Sequence, residues 1–391
     1  MVTSFSFTHT PDIQFGSGKI KMLPEIISRF GTDVLLITGS RSFIGSKYWD
    51  RLLLQLETSK ICWRHFIIDR EPSPEMIDRC VMSNSDPVPS VVVAIGGGSV
   101  LDAGKAISAM IKEQGSVMDY LEGVGTKKPN GKKVPFIAVP TTSGTGSEAT
   151  KNAVITRIGL KGFKKSLRHD NYVPDLALID PELTLSCTPE QTARSGMDAF
   201  TQLLESYVST NSSPFTDALA IDALRILRDS LPAAVEHGYD SPEARSGMSY
   251  AALLSGITLA NAGLGVVHGF ASSVGGYFDV PHGLVCGTLM GVANRVTLNK
   301  LLKTSQNSIA LAKYGRVGKI FTKQSGKSDT FFAWALIDLI DDWTDRFGIL
   351  KLSAFGIGSQ DIKKIVKSTS NKYNPVALDK IELEEILKSR L

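Results

Sequence analysis

The chain has 391 residues, 42% hydrophobic and 21% charged, with a net charge of +4 and both signs interspersed, the balance of a soluble enzyme long enough for two cores. Its densest basic stretch, Lys161 to Arg168, is short and holds one aromatic, Phe163, which argues against a nucleic-acid partner. Four cysteines without a CxxC pair exclude a disulfide framework, and the lack of a signal-type N-terminus or a bilayer-length apolar run predicts a cytoplasmic protein with no membrane partner.

In chain order, Val34 to Thr38 is a short apolar run stopped by Gly39-Ser40, the pattern of a buried parallel strand. A helical stretch follows over residues 44–56, and the aromatic and β-branched run Ile61 to Ile68 predicts a second strand. Ser73-Pro74 reads as an N-cap and first helical residue. Val91 to Ile95 is a third strand, and the alternation argues for an α/β domain built on a doubly wound parallel sheet.

That strand runs into Gly96-Gly97-Gly98-Ser99, just before a helix. Glycines let a ligand approach the backbone, and a helix N-terminus offers free N–H groups and a positive dipole end to phosphate. The spacing is neither GxGxxG nor a P-loop, and a tight structural turn is the competing reading. A further strand, Val134 to Val139, leads into Pro140-Thr141-Thr142-Ser143-Gly144-Thr145-Gly146-Ser147, whose hydroxyls suit phosphate and ribose oxygens. Hydroxyl- and glycine-rich turns at two strand ends of one sheet point to a common crevice. A hairpin is expected over residues 153–167, where Lys164 or Lys165 would neutralise a pyrophosphate or simply face solvent, and Asp175 to Ile179 is the last strand.

From Thr188 onward apolar residues recur at three and four, predicting an all-helical domain. The expected domains are residues 1–184 and 185–391. Thr188-Pro189 opens a helix that carries Asp198 and Gln202 on one face. Residues 215–235, 242–259, 284–299 and 330–346 are further helices. Gly265-Val266-Val267-His268-Gly269 and Val280-Pro281-His282-Gly283 place two histidines, each followed by glycine, in small-residue surroundings. Two imidazoles with the carboxylate of Asp198 make a set for a first-row divalent metal.

Taken in order, GGGSVLDAGKAI, PTTSGTGSE, PDLALIDPELT, GMDAFTQLLESYVS, GVVHGF and DVPHG resemble the iron-containing (group III) alcohol dehydrogenase family over most of the chain. The resemblance implies a dinucleotide-binding α/β domain, a helical domain and a cleft between them, in a homodimer. It implies that Gly97, Gly98 and Ser99 hold the pyrophosphate, that Asp102 faces the nicotinamide end, that Thr141, Thr142 and Ser147 line the adenine and ribose side, and that Lys165 reaches over the cofactor. Asp198, Gln202, His268 and His282 match the metal positions, for Fe²⁺ or Zn²⁺.

Three departures stand out. Gln202 occupies a position that is commonly histidine, and an amide oxygen is the weaker ligand. Ser272 stands where a second cleft histidine relays protons; a hydroxyl passes a proton but cannot store one near neutral pH. Gly39 stands where NAD-preferring members carry an aspartate that would repel a 2′-phosphate. With Ser40, Arg41 and Ser42 beside it, the expected preference is NADP(H) over NAD(H). The reaction implied is metal-assisted hydride transfer between NAD(P)H and a small aldehyde or primary alcohol, with His268, His282, Asp198 and Ser272 as catalytic groups. A metal-independent oxo-acid reductase and a lyase of the dehydroquinate synthase type are the rivals.

Overall fold

The computed structural model describes residues 4–304 and 309–391. The chain divides into two compact units. One comprises Thr8–Arg157 and Lys164–Cys187; the other comprises Thr188–Leu391 with residues 4–7 and Ile158–Phe163. The break thus follows Cys187, where the sequence analysis draws it after residue 184, and the tip of the central hairpin groups with the helices.

The first unit runs β1 (Asp12–Phe15), α1 (Leu23–Ser28), β2 (Asp33–Gly39), α2 (Lys47–Thr58), β3 (Cys62–Ile68), α3 (Pro74–Asn84), β4 (Val91–Gly96), α4 (Gly98–Met110), β5 (Phe136–Pro140), β6 (Asn152–Arg157), β7 (Phe163–Arg168) and β8 (Leu176–Ile179). Six strands make one parallel sheet in the order β1-β8-β5-β4-β2-β3, and β6 pairs with β7 apart from it. Strands β4, β5 and β8 are buried at every residue, which is why they read as unbroken apolar runs rather than alternating ones. Leu23, Ile26 and Ile27 of α1 and Leu52 and Leu56 of α2 share one apolar cluster with Val34, Leu36, Val91, Val93, Val139 and Leu178 of the sheet. Helix α4 lies directly on the strands: a Cβ on Gly104 would sit 2.6 Å from Ala94 Cβ and 2.8 Å from Phe136.

From β2 the chain winds outward to β3; from β4 it winds the other way, to β5 and β8. The reversal between β2 and β4 is the topological switch point of a doubly wound sheet, and its carboxyl ends are Gly39 and Gly96. Two differences from the sequence reading are local. Helix α2 begins at Lys47, because the Ser46 hydroxyl accepts from the Tyr48 N–H and so caps it. Strand β1 was not anticipated; it is a four-residue edge strand with polar Asp12 and Gln14 and no apolar run.

The second unit holds α5 (Pro189–Val208), α6 (Pro214–His237), α7 (Pro242–Ala262), α8 (Val266–Tyr277), α9 (His282–Thr304), α10 (Ile309–Thr322), α11 (Asp329–Arg346), α12 (Ile362–Ser368) and α13 (Lys380–Lys388), with no strand among its described residues apart from the hairpin tip. Helices α5, α6 and α7 open alike: a hydroxyl at Thr188, Ser213 or Ser241 caps the first turn, and proline occupies the first position, where its missing N–H costs nothing. Phe200 stacks on Phe321 at 4.9 Å with Trp343 beside both, and Phe270 is fully buried, so both phenylalanines belong to the core rather than to a pocket wall. Among the described residues no single helix is long and apolar enough to cross a membrane.

One buried cation holds the first unit's working end together. Lys105 of α4, 1% exposed, donates to Ser147 O (2.8 Å), Thr150 Oγ1 (2.8 Å) and Asn152 O (2.8 Å), with Asp102 Oδ1 at 3.9 Å. Burial disfavours its charge and lowers its pKa to about 8. It ties α4 to the segment between β5 and β6. Lys105→Met is expected to lower the unfolding free energy by about 3 kcal/mol, since the buried oxygens of Ser147 and Thr150 would lose their donor and half-buried Asp102 its cation. Urea unfolding followed by circular dichroism checks this; a change within ~0.5 kcal/mol, the size of a surface substitution, would contradict it.

Candidate functional site

Two groups of polar residues form, one in each unit. In the first unit the turn after β4 meets the turn after β5. Gly97, in extended conformation, is the cap residue of α4 and brings no side chain to its first N–H groups. These remain for an anion, backed by the positive end of the helix dipole. A Cβ on Gly98 would stand 2.5 Å from Thr145 Cγ2, and one on Gly97 would stand 3.3 Å from Thr142 Oγ1. The glycines therefore serve close packing of the two turns as well as access to the backbone. Gly39, at the end of β2, is different: a Cβ there would meet Val100 Cγ2 at 3.7 Å and the Ile68 carbonyl oxygen at 4.0 Å, both ordinary contacts, so a side chain fits.

The other expected cofactor residues fall around these turns. Thr141 is buried and lines a pocket of about 230 Å³ with Ser42, Phe43, Lys47, Leu183 and Leu185, beyond the carboxyl ends of β2, β5 and β8. Ser40 is exposed beside Gly39, and Thr142 is half-buried. Ser147 donates to Asp102 Oδ1 at 2.5 Å, and the other Asp102 oxygen accepts from Val154 N at 3.0 Å, so this pair braces α4 against the β5–β6 segment. Of the two lysines on β7, Lys164 turns inward to Glu71 (2.5 Å) while Lys165 is exposed, because neighbours on a strand point to opposite faces. Ser99 lies in the first turn of α4.

In the second unit three helices converge. Asp198 lies mid-way along α5, His268 in the first turn of α8, and His282 at the start of α9. Asp198 Oδ1 is 3.2 Å from His268 Nε2 and 3.6 Å from His282 Nε2. The glycine after each histidine permits this approach. A Cβ on Gly269 would stand 1.8 Å from the Ser370 carbonyl oxygen, and one on Gly283 would stand 2.3 Å from that of Arg194. Any larger residue would push α8 or α9 away.

Behind His268 stands Glu205, two turns along α5 from Asp198 and also buried. Its Oε1 accepts from Val267 N at 2.7 Å and so caps α8, whose own cap residue, Gly265, has no side chain. A Cβ on Gly265 would lie 2.9 Å from that same oxygen. The other oxygen, Oε2, is 2.7 Å from His268 Nδ1 and must accept its proton. An imidazole that donates from Nδ1 presents a lone pair at Nε2. That lone pair faces a carboxylate oxygen, and the two are held together only by a positive charge between them. Burial works against a charged imidazole here, but the Cys286 sulfur and the carboxylates of Asp198 and Glu205 outweigh it and hold the His268 pKa well above 6.5. Two nitrogens and a carboxylate oxygen, with a second carboxylate orienting one imidazole, fit a divalent metal ion.

The remaining expected residues divide. Gln202, one turn after Asp198, is buried, and its Oε1 lies 2.6 Å from the Ser255 hydroxyl of α7. Ser272 is exposed, one turn after His268 on α8. Two residues of the cluster were not anticipated. Glu205 had a signal in its spacing of seven from Asp198, which keeps it on the same helix face. Cys286 is four residues after His282, and its sulfur joins Asp198, His268 and His282 with all ligand atoms within 4.8 Å.

Both halves of the chain match known proteins. The iron-containing alcohol dehydrogenase family model matches residues 10–181, and the family's C-terminal model matches residues 192–391. The chain is 31% identical over 377 residues to the long-chain-alcohol dehydrogenase 1 of Geobacillus thermodenitrificans, covering 95% of this chain and 91% of that protein. It is 30% identical over 392 residues to the NADPH-dependent butanol dehydrogenase of Clostridium saccharobutylicum, covering 98% and 97%. It is 32% identical over 306 residues to the NAD-dependent methanol dehydrogenase of Bacillus methanolicus, covering 77% of each. The solved alcohol dehydrogenase of Oenococcus oeni superposes with a TM-score of 0.86 at 26% identity, over 99% of this chain and 100% of that one.

Glu205→Gln keeps the shape but removes the charge that fixes His268. Metal affinity is expected to fall by about 10- to 100-fold, read by competition with a chelating dye. An unchanged affinity would show that Glu205 serves only as a helix cap.

Proposed function

Since this chain belongs to the iron-containing alcohol dehydrogenase family, we propose that it interconverts a small aldehyde and a primary alcohol by hydride transfer with NAD(P)H, using the Asp198, His268 and His282 cluster as its metal centre. The observation that carries the reading is Asp198 Oδ1 placed between two imidazole nitrogens, with Glu205 fixing one of them. A divalent metal held there supplies Lewis-acid polarisation of the substrate oxygen, and the bound nicotinamide supplies the hydride.

The chain's own residues do the rest. The open N–H groups of α4 at Gly98 and Ser99 bind the pyrophosphate, and Gly97 lets it approach. The pocket lined by Thr141, Leu183 and Leu185 takes the adenine end, with apolar walls for the ring and hydroxyls at its rim. Asp102 and Ser147 act on the cofactor through the turn they brace. Lys165 stands free on the outer face of β7 to meet phosphate charge. Glu205 holds His268 in one tautomer. Ser272, open to water, passes the proton that the alcohol oxygen gains in the reductive direction.

NADPH is the preferred cofactor in this reading. Gly39 leaves the end of β2 without an acid to repel a 2′-phosphate, and Ser40, Arg41 and Ser42 follow it on the exposed turn. The relatives include enzymes named for each cofactor, so the choice lies in local residues.

NADPH oxidation by a panel of small aldehydes tests the reaction, and turnover with none of them would sink it. Gly39→Asp tests the cofactor reading. A side chain fits there without a clash, so the fold should stand while the NADPH-to-NADH ratio of kcat/KM falls by about tenfold or more, the size of one charge repulsion of ~1.4 kcal/mol. An unchanged ratio, or a wild-type chain that already favours NADH, would overturn it.

A further inference from the structure

We propose that Cys286 is a thiolate ligand of the metal, giving a ligand set of Asp198, His268, His282 and Cys286, and that Gln202 buttresses the site instead of ligating. The inference rests on the metal-centre reading above and goes beyond it in naming the fourth ligand and the class of metal it selects.

Geometry carries the assignment. Cys286 is buried on α9 one turn after His282, so both side chains leave the same face of one helix. Its sulfur is 3.7 Å from His268 Nε2 and 3.8 Å from His282 Nε2. Donors about 2.0–2.3 Å from a tetrahedral ion stand roughly 3.3–3.6 Å from one another. The separations here are 3.2 and 3.6 Å from Asp198 Oδ1 to the two imidazoles, and 3.7 and 3.8 Å from the sulfur to the same two nitrogens. Four of the six separations thus stand near the size a metal requires, and all four donors, from three helices, lie within 4.8 Å of one another. An inert core thiol would be packed among apolar groups; this one faces two imidazole nitrogens.

Gln202 is placed otherwise. Its amide oxygen is held 2.6 Å from the Ser255 hydroxyl, which joins α5 to α7. That hydrogen bond occupies one lone pair of the amide oxygen and ties the side chain to α7. In this assignment the fourth donor is the Cys286 sulfur of α9, which stands with the three other donors, and Gln202 braces α5 against α7. A thiolate is a soft donor, so the set favours Zn²⁺ and Co²⁺ over Mg²⁺ and Mn²⁺. Ligation releases the thiol proton, as it does for any coordinated cysteine.

The test loads the full-length, chelator-stripped chain with one equivalent of Co²⁺ and records its absorption and metal content. The expected result is one bound Co²⁺ with a near-ultraviolet thiolate-to-cobalt charge-transfer band. The band should vanish in Cys286→Ser, with Co²⁺ affinity lower by about tenfold or more, the scale on which softer ligands discriminate. It should persist in Gln202→Ala. Bound Co²⁺ without the band in the wild-type chain would overturn the thiolate assignment while leaving the metal centre intact, and this outcome needs no variant to fold. A band that survives Cys286→Ser would do the same. A wild-type chain that binds no Co²⁺, or a His268→Ala chain that binds it undiminished, would overturn the metal-centre reading itself.

Discussion

One carboxylate oxygen, Asp198 Oδ1, lies against two imidazole nitrogens inside the helical unit, and much of that unit's detail exists to allow it. The contact is unfavourable without a positive charge: Glu205 takes the Nδ1 proton of His268, so Nε2 meets Asp198 across either a second proton or a metal ion. The cost of the arrangement is carried in the backbone, where Gly265, Gly269 and Gly283 give up side chains so that Glu205, the Ser370 carbonyl and the Arg194 carbonyl can come close.

The α/β unit follows a parallel logic with the opposite sign. Its ligand-facing end is a helix N-terminus left uncapped after Gly97, so it offers partial positive charge to an anion. The turn opposite is held in place by Lys105, which satisfies the backbone oxygens of Ser147 and Asn152 from beneath. Burial raises the Glu148 carboxyl to about 7 and lowers Lys105 to about 8. Charge is thus expensive below the turn and available above it.

Much of this was legible in the sequence, and the exceptions have causes. The buried strands were visible because a sheet covered on both faces needs unbroken apolar runs; β1 was not, because an edge strand of four residues needs none. Helix α8 was hidden by Gly269, Gly275 and Gly276, residues of poor helix propensity that tertiary packing tolerates. The three residues Asp198, His268 and His282 announced themselves by chemistry and by the repeated His-Gly pair. Glu205 did not, since an acid on a helix is usually solvated, and its double role depends on how α8 meets α5. Cys286 did not, since a single cysteine reads as core until its neighbours in space are known. The engagement of Gln202 by Ser255 joins residues on two helices and leaves no local trace.

In the proposed reaction a metal bound in the helical unit is required for hydride transfer. The most direct measurement is to strip the chain with a chelator under low oxygen, add back Zn²⁺ or Fe²⁺ in known fractions of an equivalent, and follow aldehyde-dependent NADPH oxidation at each step. The account predicts turnover that is absent from the stripped protein and rises in proportion to bound metal, levelling at one equivalent per chain. Full turnover in the stripped protein, unchanged by added metal, would contradict it.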